Sequence, residues 1–215
     1  MLKTTILFIR HGQSEGNTLG VFTGHSGYPL TELGHKQAAL TAAYIHEHYT
    51  VDAVYSSDLP RAFQTAEHIA KAFALPVVTD CRIREINAGA WENNRFADLP
   101  DLFPADYTVW LEDVMHARCT DGESVLEVAE RTINALQDLA AANLGKCIAV
   151  VAHATTIRSA LWMLLGGTKE AMEAFSWGGN CGINEIAYAD GKLQLVSSNY
   201  IDHLREFSSA LPKNV

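Results

Sequence analysis

Cysteine is scarce in this chain, and the spacing of the few cysteines excludes two classes of small protein. Four cysteines occur in 215 residues, and no two of them form a Cys-x-x-Cys pair. This spacing argues against a zinc knuckle and against a disulfide framework, so we expect reduced thiols and no metal site. The four residues are Cys81, Cys119, Cys147 and Cys181.

Positive charge is also in short supply. The chain has 16 Lys and Arg residues against 25 Asp and Glu residues, which gives a formal net charge of -9. An acidic surface of this kind argues against nucleic acid or an anionic membrane as a partner, although a small basic pocket can persist inside an acidic protein. Any site for an anion must therefore be local.

Long hydrophobic runs are absent as well. The apolar stretch near the N-terminus, residues 4–9, is too short for the hydrophobic region of a signal peptide or for a membrane-spanning helix. We therefore expect a cytoplasmic protein with no membrane partner. The sequence leaves open whether the chain forms a homo-oligomer.

The sequence does contain enough apolar residues for a full core. Of its 215 residues 48% are hydrophobic, and we find no internal repeat, low-complexity tract or interdomain linker, so a single domain, 1–215, is expected. Apolar runs of strand length alternate with helical periodicity, and Asp190-Gly191 then predicts a β-hairpin. This order predicts an α/β fold: a three-layer sandwich with a mostly parallel, doubly wound sheet and helices on both faces.

The predicted elements leave two irregular regions. The predicted strands are 6–9, 51–57, 75–79, 147–152, 181–189 and 192–198, and the predicted helices are 31–48, 58–73, 124–140 and 154–165. Residues 12–29 form a glycine-rich loop. Residues 80–122 are rich in aromatic residues and predict an inserted cap segment, irregular or short-helical, over a pocket. The alternative for this segment is a surface subdomain with its own small core.

The first strand ends on side chains that a core would not select. The apolar run that closes at Ile9 is followed by Arg10, His11 and Gly12. Ligands of open α/β sheets bind at the carboxyl ends of the strands. Arginine matches the geometry of phosphate or carboxylate, and histidine can be a nucleophile or a base near neutral pH. The pair predicts an anion held against a reactive ring, unless the Arg-His sequence is a coincidence.

Two other predicted strands also end on polar groups. Arg61 lies in the first turn of the helix that follows the second strand, where the helix dipole disfavours a cation. Arg61 and Thr65 lie outside the apolar stripe of that helix. The continuous apolar strand 147–152 ends at His153, directly before the next helix. Because the carboxyl ends of parallel strands share one edge of a sheet, these groups are expected to converge with Arg10 and His11.

Five motifs in order resemble the histidine phosphatase superfamily, which also contains the cofactor-dependent phosphoglycerate mutases. The first three are Arg10-His11-Gly12 with Asn17, Ser56-Ser57 with Arg61-Ala62 and Gln64-Thr65-Ala66, and Arg84-Glu85-Ile86 with Gly89 and Trp91-Glu92. The last two are Gly122-Glu123-Ser124 and His153 with Arg158. The resemblance implies a metal-independent phosphoric monoester hydrolase of the histidine acid phosphatase type, with no cofactor and a small-molecule phosphate ester as substrate.

The resemblance also implies a role for each residue that matches the motifs of the family. His11 would accept the phosphoryl group, and Arg10, Arg61 and His153 would neutralise the phosphate oxygens. Glu85 would protonate the leaving alkoxide, which requires that it carry a proton beforehand. Further contacts to phosphate or substrate are expected from Asn17, Thr23, Gly24 and Ala154. Arg158 is expected to support the site or to pair with an acid.

Three positions depart from the family pattern, and the other histidines show no ligand spacing. Ala154 stands where glycine usually follows the second histidine, Gly27 where aspartate is common, and Asn93 where glycine follows Glu92. A positive φ at Ala154 would be strained. Surface positions are expected for His25, His35, His46, His48, His68, His116 and His203.

Three functions remain open from the sequence. The mutases of the family usually carry Glu-Arg-His-Tyr-Gly where this chain has Glu85-Ile86-Asn87-Ala88-Gly89, and they add basic residues that would bind a substrate carboxylate. Here Arg95 is the sole cation between Glu85 and Arg118. A phosphomonoesterase is therefore favoured over a phosphoglycerate mutase. A third alternative is a phosphate-binding or regulatory module with impaired catalysis.

Overall fold

The architecture is a six-stranded mixed β-sheet between two layers of helices, as seen in a computed structural model that describes residues 2–168, 171 and 177–209. The strand order is β3-β2-β4-β1-β5-β6. The pairs β1–β4, β4–β2 and β2–β3 are parallel, while β5 and β6 add an antiparallel hairpin at the other edge. The strands are Thr4–Arg10 (β1), Ala53–Ser56 (β2), Val77–Thr79 (β3), Cys147–Ala152 (β4), Ile183–Ala189 (β5) and Lys192–Tyr200 (β6). The predicted fold class is confirmed.

Helices cover both faces of the sheet because the side chains of a strand alternate between its two faces. In β1, Ile6 and Phe8 pack toward one helical layer and Leu7 and Ile9 toward the other. The layer of α2 and α3 lies on the Leu7 side, and the layer of α6 and α7 lies on the Phe8 side. The helices are Glu15–Leu19 (α1), Glu32–His48 (α2), Pro60–Phe73 (α3), Leu99–Leu102 (α4), Pro104–Glu112 (α5), Val125–Ala141 (α6) and Ala154–Leu164 (α7).

The long helices begin at residues that satisfy their first backbone amides. Thr31 caps α2 by accepting a hydrogen bond from the Gly34 amide at 3.0 Å. Ser124 and Glu127 form a reciprocal capping box at the start of α6. Pro60 opens α3, where its missing N–H costs nothing. These starts fix where each helix leaves the sheet edge.

Residues 80–122 contain short helices and 3-10 turns, as the sequence predicts, around a small core of their own. Trp91 is fully buried there and donates its indole N–H to the Thr120 hydroxyl at 3.0 Å. Phe22, Tyr107 and Trp110 pack in the same cluster. The 3-10 turns are Cys81–Ile83, Gly89–Trp91 and Val114–His116, and a fourth, kinked one spans Asp202–Phe207.

Several details of the predicted elements were wrong; the second strand, for example, spans Ala53–Ser56 instead of 51–57. The loop 12–29 contains the short helix α1, which a capping box between Ser14 and Asn17 stabilises. The third strand begins at Val77 instead of 75, because the Leu75 amide still bonds to the end of α3. The fifth begins at Ile183 instead of 181, since Cys181 has a positive φ of 57° and cannot continue a strand.

No helix among the described residues is long and apolar enough to span a bilayer.

Candidate active site

The charged side chains predicted at three strand ends meet at one edge of the sheet. Arg10 is the last residue of β1, and His11 follows it with its amide bonded to the Ala152 carbonyl at the end of β4 at 3.0 Å. His153 is the residue at which α7 begins, and Arg61 lies in the first turn of α3 behind β2. The ring centroids of His11 and His153 are 5.2 Å apart. The predicted convergence is therefore present.

The His11 ring is held in one orientation by its own backbone turn. Its Nδ1 lies 2.7 Å from the Gly12 carbonyl oxygen, so Nδ1–H donates and Nε2 carries the lone pair. The Gly12 amide in turn donates to the Thr65 hydroxyl at 3.0 Å. A Cβ at Gly12 would lie 2.6 Å from the Gly34 carbonyl oxygen, so only glycine fits there. Nε2 is therefore the ring nitrogen that carries no proton.

Arg61 and Thr65 are fully buried although they lie outside the apolar stripe of α3, and Arg61 packs against His11. The Nε–H of Arg61 donates to His11 Nε2 at 3.3 Å, and its two Nη groups donate to the carbonyls of Ser26 and Gly24 at 3.0 and 2.8 Å. The apolar stripe packs on the sheet, while this second side of α3 is covered by the loop 12–29. Arg61 joins that loop to the reactive ring.

The Gly24–Ser26 turn has a second anchor from the neighbouring segment. Both oxygens of the Glu92 carboxylate accept hydrogen bonds from it, one from the His25 amide and one from the Ser26 hydroxyl. Arg61 and Glu92 thus anchor the Gly24–Ser26 turn, although Gly27 stands where the family commonly has an aspartate. Asn93, which follows, has a positive φ of 63°, a conformation that asparagine tolerates.

Unpaired donors of buried side chains face the same region. Among the described residues, no hydrogen-bond partner exists for Arg10 Nε or for either ring nitrogen of His153. Arg10 donates its Nη1 to the Gly178 carbonyl and keeps its remaining donors for the cavity that it lines. Buried donors without partners are costly unless a ligand satisfies them. Their chemistry fits an anion.

Burial and positive neighbours keep both histidines neutral. The pKa of His11 lies well below its usual value, first because the ring is buried and then because Arg61 and Arg10 are close. The pKa of His153 is lowered by the same burial and by Arg61. Burial also lowers the pKa of Arg10 and of Arg61, each to about 10, so both remain cations at neutral pH. The site combines two cations with an unprotonated nucleophile.

These lowered pKa values predict a loss of stability in mild acid. Below the reference histidine pKa of about 6.5, the unfolded chain binds protons at His11 and His153 that the folded chain does not, so acid favours unfolding. The free energy of unfolding should therefore fall by up to about 1.4 kcal/mol per pH unit for each ring. Guanidinium titrations at pH 7.5, 6.5 and 5.5 measure this slope.

The double variant His11→Asn/His153→Asn should flatten that pH dependence, whereas replacement of the exposed His46 by Asn should leave it unchanged. An undiminished slope in the double variant would show that other groups cause the acid sensitivity.

Glu85 lines the same cavity as Arg10 and His11, with 7% of its surface exposed. Its carboxylate accepts hydrogen bonds from the backbone amides of Ile86 at 3.0 Å and Thr155 at 3.3 Å. The Thr156 hydroxyl lies 3.4 Å from Oε1 and donates to the Arg84 carbonyl at 2.8 Å. The start of α7 therefore positions both His153 and Glu85.

The cavity brings most of the predicted contact residues together. It contains about 580 Å³ of empty space, part of it open solvent. Its walls are Arg10, His11, Asn17, Val21, Phe22, Thr23, Gly24, Glu85, Phe96, Trp110, Ala154, Thr155 and Trp177. Arg61 and His153 lie behind His11 instead of on this wall. Ala154 is the first residue of α7 and has helical backbone, so its methyl group causes no strain.

Several residues that support the site were not predicted from the sequence. Asn180 donates to the His11 carbonyl at 3.1 Å and to Asn17 Oδ1 at 3.3 Å. Arg131 on α6 donates to the carbonyls of Arg84 and Glu85, so it fixes the segment that carries the carboxylate. The sequence signal for Asn180 was only the preceding Gly178-Gly179, and Arg131 lies within an ordinary amphipathic helix.

Three histidines assigned to the surface are partly buried, namely His25, His68 and His203. His25 Nε2 lies 2.9 Å from the Glu85 carbonyl, and His203 Nε2 lies 2.9 Å from the Thr41 hydroxyl. Loop and terminal segments pack over these rings, which periodicity along single helices cannot reveal. Arg158, for which support of the site or pairing with an acid was expected, has its guanidinium carbon 4.2 Å from the centre of the Trp177 ring.

Comparison with known proteins adds independent findings. The family model of the histidine phosphatase superfamily (branch 1) matches residues 6–201. The chain is 30% identical over 202 residues to phosphoserine phosphatase 1 of Hydrogenobacter thermophilus, covering 94% of this chain and 95% of that protein. It is 31% identical over 189 residues to a probable phosphoglycerate mutase of Yersinia pestis, covering 86% and 85%. A solved mutant of phosphoserine phosphatase from Entamoeba histolytica, in complex with phosphoserine, has a TM-score of 0.82 at 30% identity, covering 94% and 99%.

Proposed function

Because this chain belongs to the histidine phosphatase superfamily, we propose that it hydrolyses a phosphate ester of a small metabolite through a phosphohistidine on His11. Membership and the relatives named phosphoserine phosphatase make it a phosphoric monoester hydrolase. One observation carries the assignment of the nucleophile. The Nδ1–H of His11 donates to the Gly12 carbonyl at 2.7 Å, which leaves the lone pair of Nε2 beside Arg61.

The proposed first step transfers the phosphoryl group to the ring. Nε2 of His11 attacks phosphorus, the bond to the ester oxygen breaks, and the leaving alkoxide takes a proton from Glu85. Arg10 and Arg61 neutralise the non-bridging oxygens, and His153 adds a neutral N–H donor. To bind the phosphate, Arg61 must either turn its Nη groups away from the carbonyls of Gly24 and Ser26 or donate through Nε.

The second step returns the enzyme to its starting state. Water attacks phosphorus, the bond between phosphorus and Nε2 breaks, and Glu85 takes the proton that the water loses. Inorganic phosphate then leaves. Glu85 serves as acid and then as base, and it lies at the cavity wall with Arg10 and His11.

The role of Glu85 predicts an effect that depends on the leaving group. Glu85→Gln should lower kcat/KM for an alkyl phosphate by about 10²- to 10⁴-fold, whereas a nitrophenyl ester, whose leaving group needs no proton, should lose far less. Steady-state assays on matched esters measure the difference. The exposed Glu130→Gln is the matched control and should behave as wild type. An equal loss on all esters would assign the proton to another group.

We also infer the organisation around the site. Residues 1–215 form one histidine-phosphatase-like domain, in which the segment 80–122 acts as a cap that selects the substrate. Phe96 and Trp110 of that segment contribute to the cavity wall, which supports this role. We infer a cytoplasmic small-molecule enzyme. The acidic balance of the chain, -9, supports the absence of a nucleic-acid partner, and size-exclusion chromatography would decide between monomer and homo-oligomer.

Phosphoglycerate mutase activity is the less supported alternative, although one relative carries that name. Arg95 is exposed and absent from the described cavity wall, so no cation other than Arg10 lines that described wall for a substrate carboxylate. Rapid interconversion of phosphoglycerates in an assay primed with a bisphosphoglycerate would reverse this preference. The alternative of a catalytically impaired module depended on backbone strain at Ala154. Ala154 has helical backbone, so this reason for the alternative no longer applies.

A further inference from the structure

The cavity of the proposed active site has two ends of different chemistry. Arg10, His11 and Glu85 line one end. Of the other described wall residues, Asn17, Thr23 and Thr155 are polar, and those with large apolar side chains are Val21, Phe22, Phe96, Trp110 and Trp177. A phosphate bound at the polar end therefore directs the rest of its ester toward aromatic rings. Small-molecule sites combine a few polar anchors with apolar walls in this way.

The aromatic wall is fixed by contacts among its own rings. The Phe22 ring lies 5.3 Å from Phe96 and 5.3 Å from Trp110 between centroids. Trp110 and Trp177 stack nearly parallel, 5.8 Å apart at 15°. The guanidinium of Arg158 lies over Trp177 and holds that ring further. Such a preformed surface accepts an apolar group with little cost in ordering.

In the part of the cavity wall that the structure describes, positive charge lies only at the phosphate end. Among the described wall residues Arg10 is the sole cation, and the phosphate uses it. Arg158 lines the two neighbouring cavities instead, and Arg95 is exposed. A carboxylate on the substrate would therefore enter an aromatic space without a partner and would share the cavity with Glu85. Burying an unpaired charge is strongly unfavourable.

From this separation we propose that the enzyme selects phosphate monoesters of uncharged, apolar alcohols, above all ring-bearing ones, and discriminates against phosphorylated amino acids and hydroxy acids. The inference rests on the proposed function, since it assumes that the phosphate binds at His11. The proposed preference differs from phosphoserine, the substrate in the names of the phosphoserine phosphatase relatives. It is argued from the wall residues of this chain.

Binding of non-hydrolysable phosphonates tests the wall separately from the chemistry. Isothermal titration calorimetry with benzylphosphonate, methylphosphonate and 2-amino-3-phosphonopropionate should give the tightest binding for benzylphosphonate. Its Kd should be about 10- to 100-fold below that of methylphosphonate, given the apolar area of one ring. Tighter binding of the amino-acid phosphonate than of benzylphosphonate would overturn the inference.

Turnover then measures the same preference in the reaction. The ratio of kcat/KM for benzyl phosphate over phosphoserine should exceed 10-fold, a discrimination typical of one apolar group, in wild type. Phe96→Ala should reduce both this ratio and the advantage of benzylphosphonate over methylphosphonate by about 10-fold. The exposed Arg95→Gln is the control and should leave the ratios unchanged. A loss of phosphoserine turnover in Arg95→Gln would instead reveal a carboxylate site at the rim and contradict the proposal.

The two hypotheses fail in different ways. If benzylphosphonate binds tightly but no phosphate ester labels His11, the proposed function fails and the apolar selectivity remains. If His11 is labelled but phosphoserine is the better substrate, the selectivity fails and the proposed function remains. Equal losses for all three phosphonates in Phe96→Ala would show that the ring only supports the fold, which would also contradict its role in selection.

Discussion

His11→Ala is expected to lower kcat by about 10⁴-fold or more, because it removes the atom that accepts the phosphoryl group. The residual rate would come from the remaining donors of the site, which still bind and polarise the ester. Rapid quenching of wild type after brief exposure to a radiolabelled phosphate ester should trap label that is stable in base and labile in acid, and peptide mapping should place it on His11.

Two comparisons make this result specific. The exposed His46→Ala should keep both turnover and label, since this ring takes no part in the site. His11→Ala should still bind benzylphosphonate but should form no covalent product with the labelled phosphate ester. This combination distinguishes a loss of the reaction from a loss of the folded structure. Equal labelling of the His11→Ala protein would rule out the phosphohistidine proposed for this residue.

Arg61→Met is expected to lower kcat/KM by about 10³-fold, the loss seen when one preorganised donor to a developing charge is removed. Two causes act together. The variant removes a cation at 3.3 Å from Nε2 of His11, and it leaves the buried carbonyls of Gly24 and Ser26 without their donor. Arg61→Lys should restore little, because an ammonium group cannot reproduce the planar fork that spans three acceptors.

The second cause requires its own measurement. Loss of the two carbonyl contacts should lower the guanidinium midpoint of unfolding, whereas Lys71→Met, at the exposed end of the same helix, should change neither stability nor activity. The Arg61 variant should also weaken binding of methylphosphonate, which occupies only the phosphate end. Unchanged methylphosphonate affinity together with full turnover would show that Arg61 is only structural.

The sequence predicted the parts of the site that depend on strand ends. Arg10 and His153 each follow a continuous apolar run, and parallel strands bring such ends to one edge. Local pattern and topology therefore predicted where the two histidines meet. The sequence also predicted that Arg61 converges with them, but not that the loop 12–29 covers its side of α3, because no periodicity encodes that packing.

The missed residues share a physical cause. Asn180 reaches the His11 carbonyl from the segment that precedes β5, and Arg131 reaches the Glu85 segment from α6. Each contact joins segments that are distant in sequence and uses one side chain with no motif around it. The pattern of a single element cannot predict such contacts, whereas residues that fix a backbone turn, such as Gly12, leave a visible signature.

The position of β1 in the sheet governs when the enzyme can acquire activity during synthesis. Thr5 at its start pairs with Cys147 on one side and with Ala187 on the other, so neither neighbour exists until most of the chain has emerged from the ribosome. Closing such distant pairs is slow, because chain entropy is lost before the contacts repay it. His11, the proposed nucleophile, gains its Asn180 contact only from a residue translated 169 positions later. An incomplete nascent chain would therefore carry His11 without the ability to use it.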